Sequence, residues 1–307
     1  MTTTMAPSTR ASETALPGDI AALPSDFEAL LPTPEDVAFY EDHGYWVSGR
    51  ILPDEVIDRA VIGAERHWAG ERDWPLPATR AFSDWSEGDG DTIRNNEYVS
   101  LQNREIHDLV RYPLIGMIAS RLARSPLIRL WDDQLVSKPP AKGEAGPVVG
   151  WHSDRAYWMT CTSPAMLTAW IPLHDCPPEM GPVMYVDGSH RWPEAETMRH
   201  FNTDDLAADE ARTMGDRAEP LKRVIAVEKG QVSFHDSRLI HASGVNRGTS
   251  SRTAIALHMQ DHRNRYREFR DEAGEPWHLP NDDLCRRDTQ GRPDYSDPAV
   301  FPVLYRA

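Results

Sequence analysis

The chain has 307 residues, 40% of them hydrophobic, and a formal net charge of −15. This length suits one β domain with added helices as well as two smaller domains. The acidic balance argues against nucleic acid as a partner, because gripping phosphates needs clustered Lys and Arg, and no apolar run approaches the ~20 residues that span a bilayer.

Residues 1–26 are rich in Thr, Ala, Ser and Pro and lack the basic start and apolar run of a secretory signal, so they read as a flexible tail. Thr33 can cap a helix that begins at Pro34, with Asp36 reaching back and Gly44 ending it. A short β-rich piece, 45–47, precedes a second helix over about 53–69, with Val56, Ala60, Ala64 and Trp68 at helical spacing. The stretch 74–96 shows no sustained period and reads as a long loop able to act as a lid. A further helix is expected over 105–123.

From there the texture changes to short β-like runs at 127–136, 165–173, 183–186, 223–227, 231–234 and 253–259, separated by Pro and Gly turns. Many short strands without intervening helical periods predict an antiparallel sandwich or barrel. The charged stretch 191–219 interrupts the series as an insertion that could cover a barrel mouth. The expected organisation is a single domain over 27–307: a helical buttress at about 33–123, a β core at about 127–260 and a C-terminal extension at 261–307. The three cysteines, Cys161, Cys176 and Cys285, match neither a zinc knuckle nor a redox pair and read as idle thiols of a cytoplasmic protein.

Chemistry concentrates in two segments. In Gly150-Trp151-His152-Ser153-Asp154, side chains two apart on an extended backbone point the same way, so His152 and Asp154 can converge on one metal ion. About ninety residues later a strand-like run ends in a polar turn carrying His235 and His241, with Arg252 beyond. Two imidazoles and one carboxylate on one face of an octahedral ion leave three positions open, the arrangement of non-haem iron(II) oxygenases. An Arg on a neighbouring strand would grip a dicarboxylate through its fixed fork.

The sequence resembles the phytanoyl-CoA dioxygenase family of iron(II)/2-oxoglutarate oxygenases from about Thr33 to beyond Arg252. The resemblance rests on Thr33-Pro34-Glu35-Asp36 through His43-Gly44-Tyr45, Lys138-Pro139-Pro140 before Trp151-His152-Ser153-Asp154, Gly181-Pro182 leading to Asp187-Gly188-Ser189-His190, and His241-Ala242-Ser243-Gly244 with Asn246. It implies a double-stranded β-helix, a cupin-like jelly-roll barrel buttressed by the N-terminal helices. It further implies that His152, Asp154 and His241 bind Fe(II), with 2-oxoglutarate and O2 as cosubstrates. Arg252, eleven residues after His241, would anchor the 2-oxoglutarate side-chain carboxylate, Ser243 would hydrogen-bond the same group, and Trp170 and Gln134 would add contacts. The distance to Arg252 and the Ser two residues on favour His241 over His235. Trp85 and Trp158 are candidates for substrate contact, whereas His174, His190 and His258 read as hydrogen-bonded core or rim residues. Relatives that halogenate replace the carboxylate by Gly or Ala; the retained Asp154 favours hydroxylation of a small molecule, with secondary-metabolite tailoring as the implied setting. Desaturation, epimerisation or ring closure remain open on the same cofactors, as does a cupin-like metal-dependent hydrolase or isomerase. Substrate identity and oligomeric state are not legible.

Overall fold

In the computed structural model, which describes residues 22–76, 82–90, 92–143, 145–203 and 205–307, helix α1 (Pro34–His43) starts and stops on its local chemistry. The Thr33 hydroxyl and the Asp36 carboxylate satisfy each other's backbone N–H groups, and Gly44 takes φ +82° to end the helix. The expected tail lies outside the described residues as far as residue 21. Next come β1 (Tyr45–Arg50), α2 (Asp54–Trp68) and β2 (Arg94–Glu97), the last of which lies at the end of the expected 74–96 loop; residues 77–81 and 91 of that loop lie outside the described residues. The single helix expected over 105–123 is two, α3 (Arg104–Val110) and α4 (Pro113–Leu122). The break has a plain cause: Pro113 has no N–H to donate and disfavours helical backbone at Tyr112.

The β region runs β3 (Leu127–Lys138), β4 (Val149–His152), β5 (Leu167–Pro172) and β6 (Val183–Val186), then α5 (Leu206–Thr213), β7 (Lys222–Val224), β8 (Gln231–Asp236), β9 (His241–Ser243) and β10 (Arg252–Asp261). The C-terminal stretch adds α6 (Pro280–Leu284) and β11 (Val303–Arg306). The run expected at 223–227 is a continuous strand only as far as Val224, beyond which Val227 adds an isolated bridge to Cys176. The larger sheet has the order β1-β8-β5-β10-β3-β11, with β2 also paired to β3; the smaller has the order β4-β9-β6-β7. All pairings are antiparallel, and the two curled sheets form the jelly roll.

Period-two alternation divides the larger sheet into two chemistries. One face carries Leu135, Ile255, Leu257, Ala169, Ile171, Val232 and Phe234, which pack with Ile57, Ile106, Leu109, Ile115 and Ile118 of the helices into the main core. Each such Val, Leu, Ile or Phe side chain contributes roughly 1.5–3 kcal/mol through burial, so the helices are a structural buttress. The other face looks toward the smaller sheet. Along β3 it carries Asp132, Gln134, Val136 and Lys138, and along β10 their partners His258, Ala256, Ala254 and Arg252. Thr168 and Trp170 of β5 continue the same rows, opposite His258 and Ala256. The C-terminal stretch closes one end, where Phe301 stacks on Trp131 with ring centroids 5.3 Å apart.

The stretch 191–219 covers the outer face of the smaller sheet, burying Trp151, Ile240 and Ala242 against Met198, Met214 and Ala218. Backbone bonds from Gly150 N to Phe201 O (2.9 Å) and from His200 N to Trp151 O (3.0 Å) stitch it to β4. Gly150 permits this approach, because a Cβ there would lie 1.8 Å from the His200 carbonyl oxygen. Gly150→Ala is therefore expected to cost about 1–3 kcal/mol, the usual penalty for overpacking, read as a lower urea midpoint at unchanged slope. A variant as stable as the parent would mean that this segment gives way freely. No helix among the described residues is long and apolar enough to cross a membrane.

Candidate metal centre and adjoining cavity

His152 ends β4 and His241 begins β9, and the strand register sets them directly opposite one another. Asp154 follows two residues after His152, at the start of a 3-10 turn capped by the Ser153 side chain. His152 Nε2 lies 4.0 Å and His241 Nε2 3.7 Å from Asp154 Oδ1, and one donor atom from each residue falls within 4.8 Å of the other two. All three side chains are buried.

The protons of this cluster are assigned by their partners. His152 Nδ1 faces the Gly150 carbonyl and His241 Nδ1 the Leu239 carbonyl, each at 2.8 Å. A carbonyl only accepts, so both rings carry the proton on Nδ1 and turn a bare Nε2 lone pair inward. Burial lowers the basicity of both rings further, which keeps them neutral. Asp154 Oδ2 accepts from the Thr168 hydroxyl at 2.5 Å and from His235 Nε2 at 3.2 Å. Burial opposes the charge on Asp154, but the carboxyl is held well below the usual carboxylate range by the His258, His241 and His235 rings around it, His235 being hydrogen-bonded to Oδ2.

Asp154 Oδ1 and two imidazole lone pairs thus face one another with no hydrogen bond between them. Buried together, these three donors repel unless a cation lies among them, and two nitrogens with one oxygen suit a first-row divalent metal. The donor set fits iron(II).

A second shell fixes the carboxylate. Tyr185 bridges Ser233 (2.9 Å) and His235 Nδ1 (3.0 Å), and burial pushes its phenol up, so the chain Ser233, Tyr185, His235, Asp154 is a run of hydrogen bonds ending on the carboxylate. His258 Nδ1 donates to Thr168 Oγ1 at 2.8 Å; with its basicity lowered to about 4 by burial, its Nε2 is a free acceptor. His235 and His258 are absent from the sequence-derived site, as are Thr168 and Tyr185. Their signal was the period of two along β8 and β10, which places His235 two residues from Ser233 and His258 two from Ala256 on the inward face.

Arg252 is fully buried in the same pocket as the three donors, which Gln134, Trp170 and Ser243 also line. The guanidinium lies over the Trp170 ring at 5.5 Å, and its Nη2 donates to Ser243 Oγ at 3.2 Å, while its Nε has no partner. Ser243 Oγ itself donates to the Gly181 carbonyl and accepts from Lys138 Nζ, so the hydroxyl positions Arg252 as much as it offers a contact of its own. Lys138, fully buried, spends its remaining donors on the Ser243 and Gly244 carbonyls. A buried, partly unpartnered guanidinium lining the same pocket as the three donors fits the far carboxylate of a keto diacid that chelates the metal.

On the opposite side of the donors a cavity of about 470 Å³ opens, lined in part by Trp158, Tyr157, Phe201 and Gln134. Phe201, from the covering stretch, lies edge-on to His152 at 5.1 Å. The loop expected as a lid contributes Phe82, Ser83 and Asn95. Of the two tryptophans expected to contact substrate, Trp158 lines this cavity. Trp85 does not: it is not among the described residues lining the cavity, and Arg94 lies over its ring at 4.2 Å.

Comparison with known proteins agrees with this architecture. The solved non-heme α-ketoglutarate-dependent carbocyclase SnoK of nogalamycin biosynthesis is 26% identical, with a TM-score of 0.65 over 89% of this chain and 96% of that one. The epimerase SnoN, solved with Fe3+, α-ketoglutarate and nogalamycin RO, shares the fold at 24% identity and a TM-score of 0.64 over 88% and 97% of the two chains. Peroxisomal phytanoyl-CoA dioxygenase of Bos taurus is 24% identical over 248 residues, spanning 74% of this chain and 68% of that protein. The family model described as phytanoyl-CoA dioxygenase (PhyH) matches residues 40–254, the span that holds His152, Asp154, His241 and Arg252, and the chain belongs to that family.

Proposed function

We propose that the chain is an iron(II)- and 2-oxoglutarate-dependent oxygenase that hydroxylates a small molecule. His152, Asp154 and His241 would hold the metal, and Arg252 would grip the far carboxylate of 2-oxoglutarate, with Trp170, Gln134 and Ser243 around it. Bound together, iron(II) and 2-oxoglutarate activate O2 for attack on a C–H bond, with release of succinate and CO2.

The protein's own part is positioning. Thr168 and His235 fix the carboxylate so that one oxygen faces the imidazoles. Phe201 and Trp158 wall the reacting space against water. The observation that carries this reading is the sharing of one pocket by three inward-facing donors and a buried guanidinium with a free N–H. A metal-dependent hydrolase would have no use for that guanidinium. Ring closure or epimerisation is the second reading, favoured by the likeness to the carbocyclase and the epimerase.

Anaerobic addition of iron(II) and 2-oxoglutarate to the protein is expected to give the visible metal-to-ligand charge-transfer band of a chelated keto acid. Folded protein that takes up iron and shows no such band would remove the oxygenase reading.

A further inference from the structure

The cavity beyond the metal centre is charged on one side only. Glu97, at the end of β2, faces Gln134 across the strand pair, and Asp132 lies two residues from Gln134 on the same inward face of β3. Diagonal neighbours of this kind lie about 7–8 Å apart at their backbones, close enough for both carboxylates to reach one group between them. Asp133, the intervening residue, turns the other way and is held by the Ser100 hydroxyl and backbone N–H. Both Glu97 and Asp132 line the cavity, and among the described residues no lysine or arginine does.

The pair is incompletely satisfied. Glu97 accepts from Ser83 N at 2.9 Å and from Gln134 Nε2 at 3.3 Å. Asp132 is more than nine-tenths buried, and its Oδ1 has no hydrogen-bond partner. Asn95 Oδ1, on the same wall, has none either. Asn95 Oδ1 can only accept, and Asp132 Oδ1 does so when ionised, so the ligand group that satisfies both is a donor, and a cationic donor also holds Asp132 in its ionised form. Burial, with Glu97 and Asp133 nearby, pushes the Asp132 carboxyl well up, as expected of an anion without its counter-charge. Tyr98, Tyr157, Trp158, Phe82 and Phe201 supply aromatic walls that suit an apolar body and the flank of a cation.

From these groups we infer that the substrate is a small amine-bearing cation whose ammonium group lodges between Asp132 and Glu97, leaving the rest of the molecule against the aromatic walls and the metal centre. This deepens the oxygenase reading and rests on it for the statement that the bound molecule is a substrate. The placement agrees with the polarity of β3 and β10: Lys138 and Arg252 face the pocket at one end of these strands, Asp132 at the other.

The test uses matched probes on iron(II)- and 2-oxoglutarate-loaded protein held anaerobically. Phenethylammonium, 3-phenylpropylammonium and 2-naphthylethylammonium are each compared with the alcohol and the carboxylate of the same skeleton by ligand-observed NMR titration. The same titrations are run on Asp132→Asn and on the Asp132→Asn, Glu97→Gln double variant, with the charge-transfer band recorded on every sample. The expected result is that the ammonium ions bind about tenfold or more tightly than the alcohols, in line with hydrogen bonds to charged groups. The carboxylates should bind weakest, and the double variant should lose the preference while keeping the band. If no ammonium ion outbinds its alcohol, or if the preference survives in the double variant, the inference is overturned. Ammonium preference in protein that gives no band would instead leave the cation site standing and sink the iron reading.

Discussion

His241→Ala should remove the charge-transfer band and reduce substrate-dependent succinate release by at least about a hundredfold, the upper end of what losing a mere second-shell partner costs a metal site. The expectation rests on geometry: with the ring gone, only His152 Nε2 and Asp154 Oδ1 remain in reach of a common ion. The nearby His235 cannot take the place. His235 turns Nε2 onto Asp154 Oδ2, and its Nδ1 is engaged by Tyr185. His235→Gln, which keeps a donor near Asp154, should retain the band with a loss of about ten- to a hundredfold in metal affinity. If the two variants changed places, with His235→Gln colourless and His241→Ala retaining the band, the assignment of the distal ligand would be wrong.

Arg252→Lys is the second large effect, expected to weaken 2-oxoglutarate binding by two orders of magnitude or more while leaving iron uptake intact. Leaving a buried carboxylate without its partner costs about 3–5 kcal/mol. A lysine at this position offers a point charge where the pocket holds a planar fork over Trp170. Lys138 cannot compensate, because its donors already serve Ser243 and Gly244. Titrating the charge-transfer band with 2-oxoglutarate gives the affinity, and urea unfolding of the same sample separates it from stability. Unaltered affinity in a variant that is merely less stable would make Arg252 a structural residue.

Much of this was readable before any coordinates, and the pattern of what was missed is physical. Thr33, Pro34, Asp36 and Gly44 mark α1 because caps are local, and Pro139 with Pro140 marks the end of β3 for the same reason. Strands β4 and β9 were not legible as strands: four and three residues long, they owe their pairing to each other across ninety positions of sequence. Their histidines nevertheless stood out, since a metal site needs particular residue types at particular spacings. Thr168, His235, His258 and Tyr185 did not, because a hydrogen-bonding second shell can be built from common polar residues and only the register of four strands brings these together. Asp132 and Glu97 were hidden differently. An acidic residue in a chain of charge −15 is unremarked until its burial and its missing partner are seen. Trp85 lies beneath Arg94 and not among the described residues that line the cavity, because an aromatic near a presumed mouth has as ready a use under a neighbouring guanidinium. The buried thiols behaved as expected, with Cys161 and Cys285 pushed up to about 12 and Cys176 to about 11 by burial.

The carbonyls of Gly150 and Leu239 each tie down a ring two residues further along the chain. Because the tether is intrinsic to the local chain, neither imidazole has to flip, shed a proton or wait for its neighbour when an ion arrives. The vacant lone pairs are a property of the folded backbone, so the geometry that selects the metal is in place as soon as the two strands have paired, and capture need involve little further rearrangement.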